Sequence, residues 1–174
     1  GIETLVVDAG DFLEGHLYYM ADKGRKSFEM HNEMGYDIVT IGNHDYLMGT
    51  AGLDKLISDV KPKFKFLGAN FVVDSSYQNI NQKIKPYHIV NIAGTRVAFL
   101  GLTTNDIFYK WRVEDGDILN PYTVAKRVEK EIKSQGVEHI IALTHLGLNS
   151  DKKLVRKTKD IDLVIGGHSH HFLK

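Results

Sequence analysis

Apolar residues in this chain come in short runs, and the runs end on polar side chains. Leu5-Val6-Val7 leads into Asp8 and then Asp11. Tyr36-Asp37-Ile38-Val39-Thr40-Ile41 leads into Gly42-Asn43-His44-Asp45. Ile140-Ile141-Ala142-Leu143 leads into Thr144-His145, and Leu163-Val164-Ile165 into Gly166-Gly167-His168. Short apolar runs bounded by turn signals read as strands buried on both faces. They predict strands over residues 3–8, 37–41, 64–70, 137–144 and 162–165.

Between these runs the period changes. Residues 16–34 are mostly good helix formers, and Gly35 is a natural stop. Leu53, Leu56, Ile57 and Val60 repeat at helical spacing until Pro62 ends the segment. Asn120-Pro121 is a helix start, a capping residue followed by proline at the first helical position. Val124, Val128 and Ile132 then share a face, and Gly136 ends the helix. A short helix is expected over 151–158. Residues 87–90 and 96–100 are β-rich and flank Ala93-Gly94-Thr95, which predicts an antiparallel hairpin. The polar stretch 74–82 reads as a loop. Residues 103–120 read as a long loop, of a length more often functional than idle, with Trp111 as its packing anchor. Strands alternating with helices, plus one hairpin, give a mixed α/β sheet covered by helices on its faces.

Composition narrows the possibilities. At 174 residues and 43% hydrophobic, the chain is long enough for one core. Basic and acidic residues balance at 22 each, so no basic face points to nucleic acid. Without cysteine, disulfides and thiolate metal sites are excluded. No apolar run approaches the roughly 20 residues of a membrane span. No leader of the charged-then-apolar kind precedes the first strand, the chain opens on Gly1 without methionine, and both ends read as cut.

Nine histidines draw attention to spacing. Ligands in open α/β sheets bind beyond the carboxyl ends of the strands. Asp11, Asn43, His44, His145, His168 and His170 all fall there. Taken singly, Asp11 reads as a turn or cap residue, Asn43 as turn chemistry and His145 as a satisfied polar group. Together, at four strand ends, they read as a site for a hard or borderline divalent cation. In an extended segment residues two apart point the same way, so His168 and His170 are expected to face one site and His171 to face away.

These residues also carry a resemblance. Val7-Asp8-Ala9-Gly10-Asp11, Gly42-Asn43-His44-Asp45, Leu143-Thr144-His145-Leu146-Gly147 and Gly167-His168-Ser169-His170 occur in the order and approximate spacing of the calcineurin-like metallophosphoesterases. The match is closest to the branch of 5′-nucleotidases, UDP-sugar hydrolases and cyclic-nucleotide phosphodiesterases, and it covers nearly the whole chain. The resemblance implies a four-layer αββα sandwich of mixed β-sheets flanked by helices, here truncated. Residues 1–174 would then be a partial catalytic domain, and the full-length protein would add a C-terminal substrate domain. It implies hydrolysis of phosphoesters, foremost those of nucleotides or nucleotide sugars, by a metal-activated water, with no nucleic acid or membrane span involved. The other outcome is a metal-binding or interaction domain of the same fold without efficient turnover. By resemblance the location is periplasmic or extracellular.

The resemblance further implies two divalent ions, drawn from manganese, zinc and iron. Asp11 would bridge them, Asn43, His145 and His168 would complete one site, and His170 would serve the other. His44 would be the catalytic histidine. The family's opening Asp-x-His motif occurs nowhere in these residues, so the second ion is expected to be weakly held. Leu47 stands where the branch often has an aspartate that orients the histidine. Asp45, adjacent to His44, receives no role.

Overall fold

A computed structural model describes residues 4–15 and 17–172. The expected strand start at Glu3 and helix start at His16 lie outside the described residues. The chain begins with β1 (Val7–Asp8), α1 (Leu17–Asp22), α2 (Arg25–Met34), β2 (Ile38–Thr40) and a 3₁₀ turn over Asn43–Tyr46. Then follow α3 (Thr50–Val60), β3 (Lys65–Leu67), β4 (Phe71–Val73), α4 (Gln78–Lys83) and β5 (Ile84–Lys85). The hairpin is β6 (Tyr87–Ile92) and β7 (Thr95–Thr103), after which come α5 (Ile107–Lys110) and β8 (Gly116–Ile118). The chain closes with α6 (Pro121–Ser134), β9 (His139–His145), α7 (Leu148–Lys157) and β10 (Leu163–Gly166).

Two four-stranded sheets form, in the orders β1-β2-β3-β5 and β10-β9-β7-β6. The first is parallel throughout; the second is parallel except for the β6–β7 hairpin. Three apolar layers follow from the alternation of side chains along each strand. Ile38 and Leu67 of the first sheet meet Val97, Phe99 and Leu143 of the second. The opposite face of the first sheet, with Val39 and Phe66, packs on Phe28, Leu53, Ile57 and Ile80 of α2, α3 and α4. The opposite face of the second, with Ala98, Leu100, Ile140 and Ala142, packs on Val124, Val128, Ile132 and Leu154 of α6 and α7. Helix, sheet, sheet, helix is the expected αββα sandwich.

Near the strand ends the sheets are tied by Asn70, which is fully buried. Its amide donates to Thr103 O (2.8 Å) and Leu119 O (3.0 Å), and accepts from Thr103 N (2.9 Å). Among the described residues no helix is long and apolar enough to cross a membrane.

Four local expectations are corrected. The helix over 16–34 is two helices, because Lys23 and Gly24 take positive φ and Asp22 accepts from Gly24 N and Lys26 N. The loop over 74–82 contains the start of α4, whose first turn is held by Asp54 of α3, accepting from Ile80 N (2.9 Å) and Asn79 Nδ2 (2.7 Å). The loop over 103–120 contains α5, capped by Asp106, and β8, which pairs antiparallel with β4. Trp111 is no anchor: it is 65% exposed, and Tyr109 and Val113 pack in its place.

Candidate metal centre

Two turns meet at the end of the first sheet. One follows β1 and carries Asp11; the other follows β2 and carries Asn43 and His44. Glycines make the approach possible. A β-carbon on Gly10 would lie 2.7 Å from Gly42 N, and one on Gly42 would run into Asp11 Oδ1. Gly10 also sits at φ +94, where side chains are strained.

Asp45 locks the two turns together. It is fully buried, with Oδ2 accepting from Asp11 N (2.9 Å) and Gly42 N (2.7 Å). Its Oδ1 accepts from Phe12 N (2.9 Å) and Leu13 N (3.0 Å). Asp11 is held at φ 68, an uncommon conformation for a residue with a side chain. Burial, and next the charge of Asp11, push the Asp45 carboxyl up to about 7, against the pull of its N–H donors.

Asp11 presents one oxygen to each side. Oδ1 accepts from His44 N (2.8 Å), and Oδ2 lies 2.8 Å from His145 Nε2. His145 reaches this point from the end of β9, nearly fully buried, with Nδ1 2.7 Å from Ala9 O. A carbonyl can only accept, so Nδ1 carries the hydrogen and Nε2 of a neutral ring is a lone pair. That lone pair faces a carboxylate oxygen, an arrangement that needs a cation between the two. With only a proton to supply it, burial opposes the imidazolium, but the hydrogen bond and charge of Asp11 outweigh burial and raise His145. Burial likewise opposes the Asp11 carboxylate, and His145 outweighs it, so Asp11 is lowered. The contact is an ion pair, and a metal bound by both side chains would displace its proton.

His168, in the bend after β10, completes a group. Its ring centroid is 5.0 Å from that of His145, and ligand atoms of Asp11, His145 and His168 all lie within 4.8 Å of one another. Burial first, then the positive charge of His145, lower His168 and favour the neutral ring that a metal ligand requires. Asn43 is completely buried, yet among the described residues neither its Oδ1 nor its Nδ2 has a hydrogen-bond partner. A buried amide left unpaired costs about 1–3 kcal/mol, and a metal would satisfy its oxygen. This donor set of carboxylate, two imidazoles and an amide suits a borderline divalent cation.

His170 stands apart from this group. The expectation of an extended segment is corrected: His168 and His170 have φ of 81 and 50, so alternation does not apply. His170 is exposed and lines a cavity of about 370 Å³ with Asp151, Lys152 and Ser169. His171, set aside from the site, bonds Ser169 Oγ through Nδ1 (2.9 Å).

His44 lies at the open side. Its ring is 6.0 Å from that of Tyr109, which is in turn 6.5 Å from that of His168. Its Nδ1 is hydrogen-bonded to the carboxylate of Glu14. Glu14, Asp45 and Tyr109 were not legible as site residues. Each reaches the site from a turn or short helix whose path depends on packing.

Comparison with known proteins agrees with this geometry. The family described as calcineurin-like phosphoesterase matches residues 3–172. A snake venom 5′-nucleotidase from Gloydius brevicauda is 34% identical over 98% of this chain, which spans 29% of that protein. Among solved structures, the Haemophilus influenzae NAD nucleotidase superposes with a TM-score of 0.89 at 30% identity, covering 98% of this chain and 34% of that one. The 5′-nucleotidase precursor of Thermus thermophilus gives a TM-score of 0.85 at 32% identity, covering 95% of this chain and 32% of that one.

Proposed function

This chain belongs to the calcineurin-like phosphoesterase family, and on that premise we propose that it hydrolyses phosphoesters of nucleotides or nucleotide sugars at the Asp11 centre. The observation that carries this reading is the pairing of two acceptors, Asp11 Oδ2 and His145 Nε2, at 2.8 Å beside the unpartnered amide of Asn43. Asp11, Asn43, His145 and His168 would hold one cation. When bound, such an ion neutralises phosphoryl oxygens and lowers the pKa of water from about 15.7 towards neutrality. A second cation would fall to His170, which stands apart from these four, so it would be held weakly, and metal titration of residues 1–174 is expected to show one tight ion, not two.

The chain's own residues supply the rest. The buried ring of His145 and the half-buried ring of His168 wall the centre on one side. His44, on the open side and backed by Tyr109, is placed to steady the phosphoryl group or to protonate the leaving oxygen. The nucleotidases among the relatives support a nucleotide as substrate, and those from venom support an extracellular or periplasmic location.

The test is hydrolysis of AMP, UDP-glucose and p-nitrophenyl phosphate by the intact protein with added manganese. Replacing His44 by Ala is expected to cut turnover about 10²-fold or more, in the range of acid–base catalysis, while metal content stays near that of the wild type. Equal losses of metal and turnover would make His44 structural.

A further inference from the structure

The position three residues after His44 is Leu47, whose side chain can accept no hydrogen bond. Asp45, the carboxylate next in sequence, is committed to four backbone N–H groups of the two turns. Neither can orient the His44 ring. Glu14 does reach it: its Oε2 is the hydrogen-bond partner of His44 Nδ1. Both residues are anchored on the metal-bearing turns. His44 N is fixed on Asp11 Oδ1, and Leu13, the neighbour of Glu14, is fixed on Asp45.

Building on the proposed phosphoesterase function, we propose that Glu14 is the positioning residue of His44. Its carboxylate can only accept, so His44 Nδ1 carries a hydrogen and Nε2 is the nitrogen left to serve the substrate. In the hydrolysis, an oxygen from water forms the new bond to phosphorus. The bond to the leaving oxygen breaks, and its electron pair departs with that oxygen. For this step His44 carries hydrogens on both ring nitrogens: the leaving oxygen takes the Nε2 proton, the Nδ1 hydrogen stays bonded to Glu14, and the proton lost by the water returns to Nε2 through solvent. Glu14 touches neither substrate nor metal. It holds the ring against rotation, so that Nε2 is presented at each turnover, a role carried by orientation.

The experiment uses the intact, manganese-loaded protein and the variants Glu14→Ala, Glu14→Gln, His44→Ala and Glu14→Ala/His44→Ala. AMP has an alkoxide leaving group that needs a proton; p-nitrophenyl phosphate does not. Glu14→Ala is expected to lower kcat on AMP about 10- to 100-fold with KM changed less than about threefold, and to affect p-nitrophenyl phosphate much less. Glu14→Gln, which keeps an acceptor oxygen and the size of the side chain, is expected to recover part of the loss. The double variant is expected to be no worse than His44→Ala, since the two residues act as a unit. Nitrogen-15 NMR of the metal-free protein, at alkaline pH where the His44 ring has one hydrogen, gives a readout apart from activity: that hydrogen sits on Nδ1 in the wild type and redistributes to Nε2 in Glu14→Ala. An impaired His44→Ala beside a fully active Glu14→Ala overturns this inference alone. Additive losses equal on both substrates, or an unchanged tautomer, also overturn it. An unimpaired His44→Ala overturns the reading of His44 and this inference with it.

Discussion

Replacing Asp45 by Asn exchanges one carboxylate oxygen for an amide nitrogen without changing size. In the wild type each oxygen serves two backbone donors: Asp11 N and Gly42 N on one, Phe12 N and Leu13 N on the other. Whichever way the amide turns, its NH₂ faces two buried N–H groups that lose their acceptor. An unsatisfied buried donor costs about 1–3 kcal/mol, so the pair costs about 2–6 kcal/mol. A neutral amide also removes what burial and the Asp11 charge impose on the Asp45 carboxylate. The net loss is therefore expected near the lower end, about 2 kcal/mol, a sizeable share of the roughly 5–15 kcal/mol typical of a domain. Urea unfolding of the metal-free protein should show a lower midpoint at unchanged m. Asp11 would also be freer to leave its φ of 68, so manganese affinity by calorimetry should fall about tenfold or more. A variant within about 0.5 kcal/mol of the wild type, the range of an ordinary surface change, would refute the idea that Asp45 clamps the two turns.

Other expectations follow from the same geometry. Asn43→Ala removes a buried amide that has no partner to lose among the described residues. Metal-free stability should move by less than about 1 kcal/mol, because relief of the unpaired group offsets the small cavity, whereas manganese affinity should fall at least about tenfold. A large loss of metal-free stability would show that the amide is structural. His88 is shifted down, by burial first and by Lys65 second. The unfolded chain therefore binds more protons below the ordinary histidine value of about 6.5, so stability is lost as pH falls through that value, and the loss levels off once the folded ring also titrates. Urea midpoints across pH 5–8 should show a shallower acid-side slope for His88→Gln, and an identical slope would remove His88 as the cause.

The strands that support the site could be read from the sequence because they are buried on both faces. Ile38-Val39-Thr40 and Ile140-Ile141-Ala142-Leu143 are continuous runs, as parallel strands between two layers must be. Asn120-Pro121 marked the start of α6 for reasons local to the backbone, and Asn120 indeed accepts from Tyr122 N and Thr123 N. What escaped depends on partners far along the chain. The start of α4 is held by Asp54, and β8 exists because β4 lies beside it. The same division holds at the site. Asp11, His145 and His168 stand at strand ends and come together. His170 would join them only if the segment were extended, and positive φ at His168 and His170 removes that alternation. Glu14 and Asp45 act across 30 and more residues, on His44 and on the Asp11 turn, through chain reversals that no local pattern encodes.

Crystals of the protein soaked in manganese or zinc give the most direct test of the metal centre, through anomalous scattering. The expected result is one strong peak within about 2.0–2.3 Å of Asp11 Oδ2 and His145 Nε2, with the Asn43 oxygen and a His168 nitrogen completing its shell. An absent peak, or one coordinated by residues outside this set, would contradict the assignment on which the proposed hydrolysis rests.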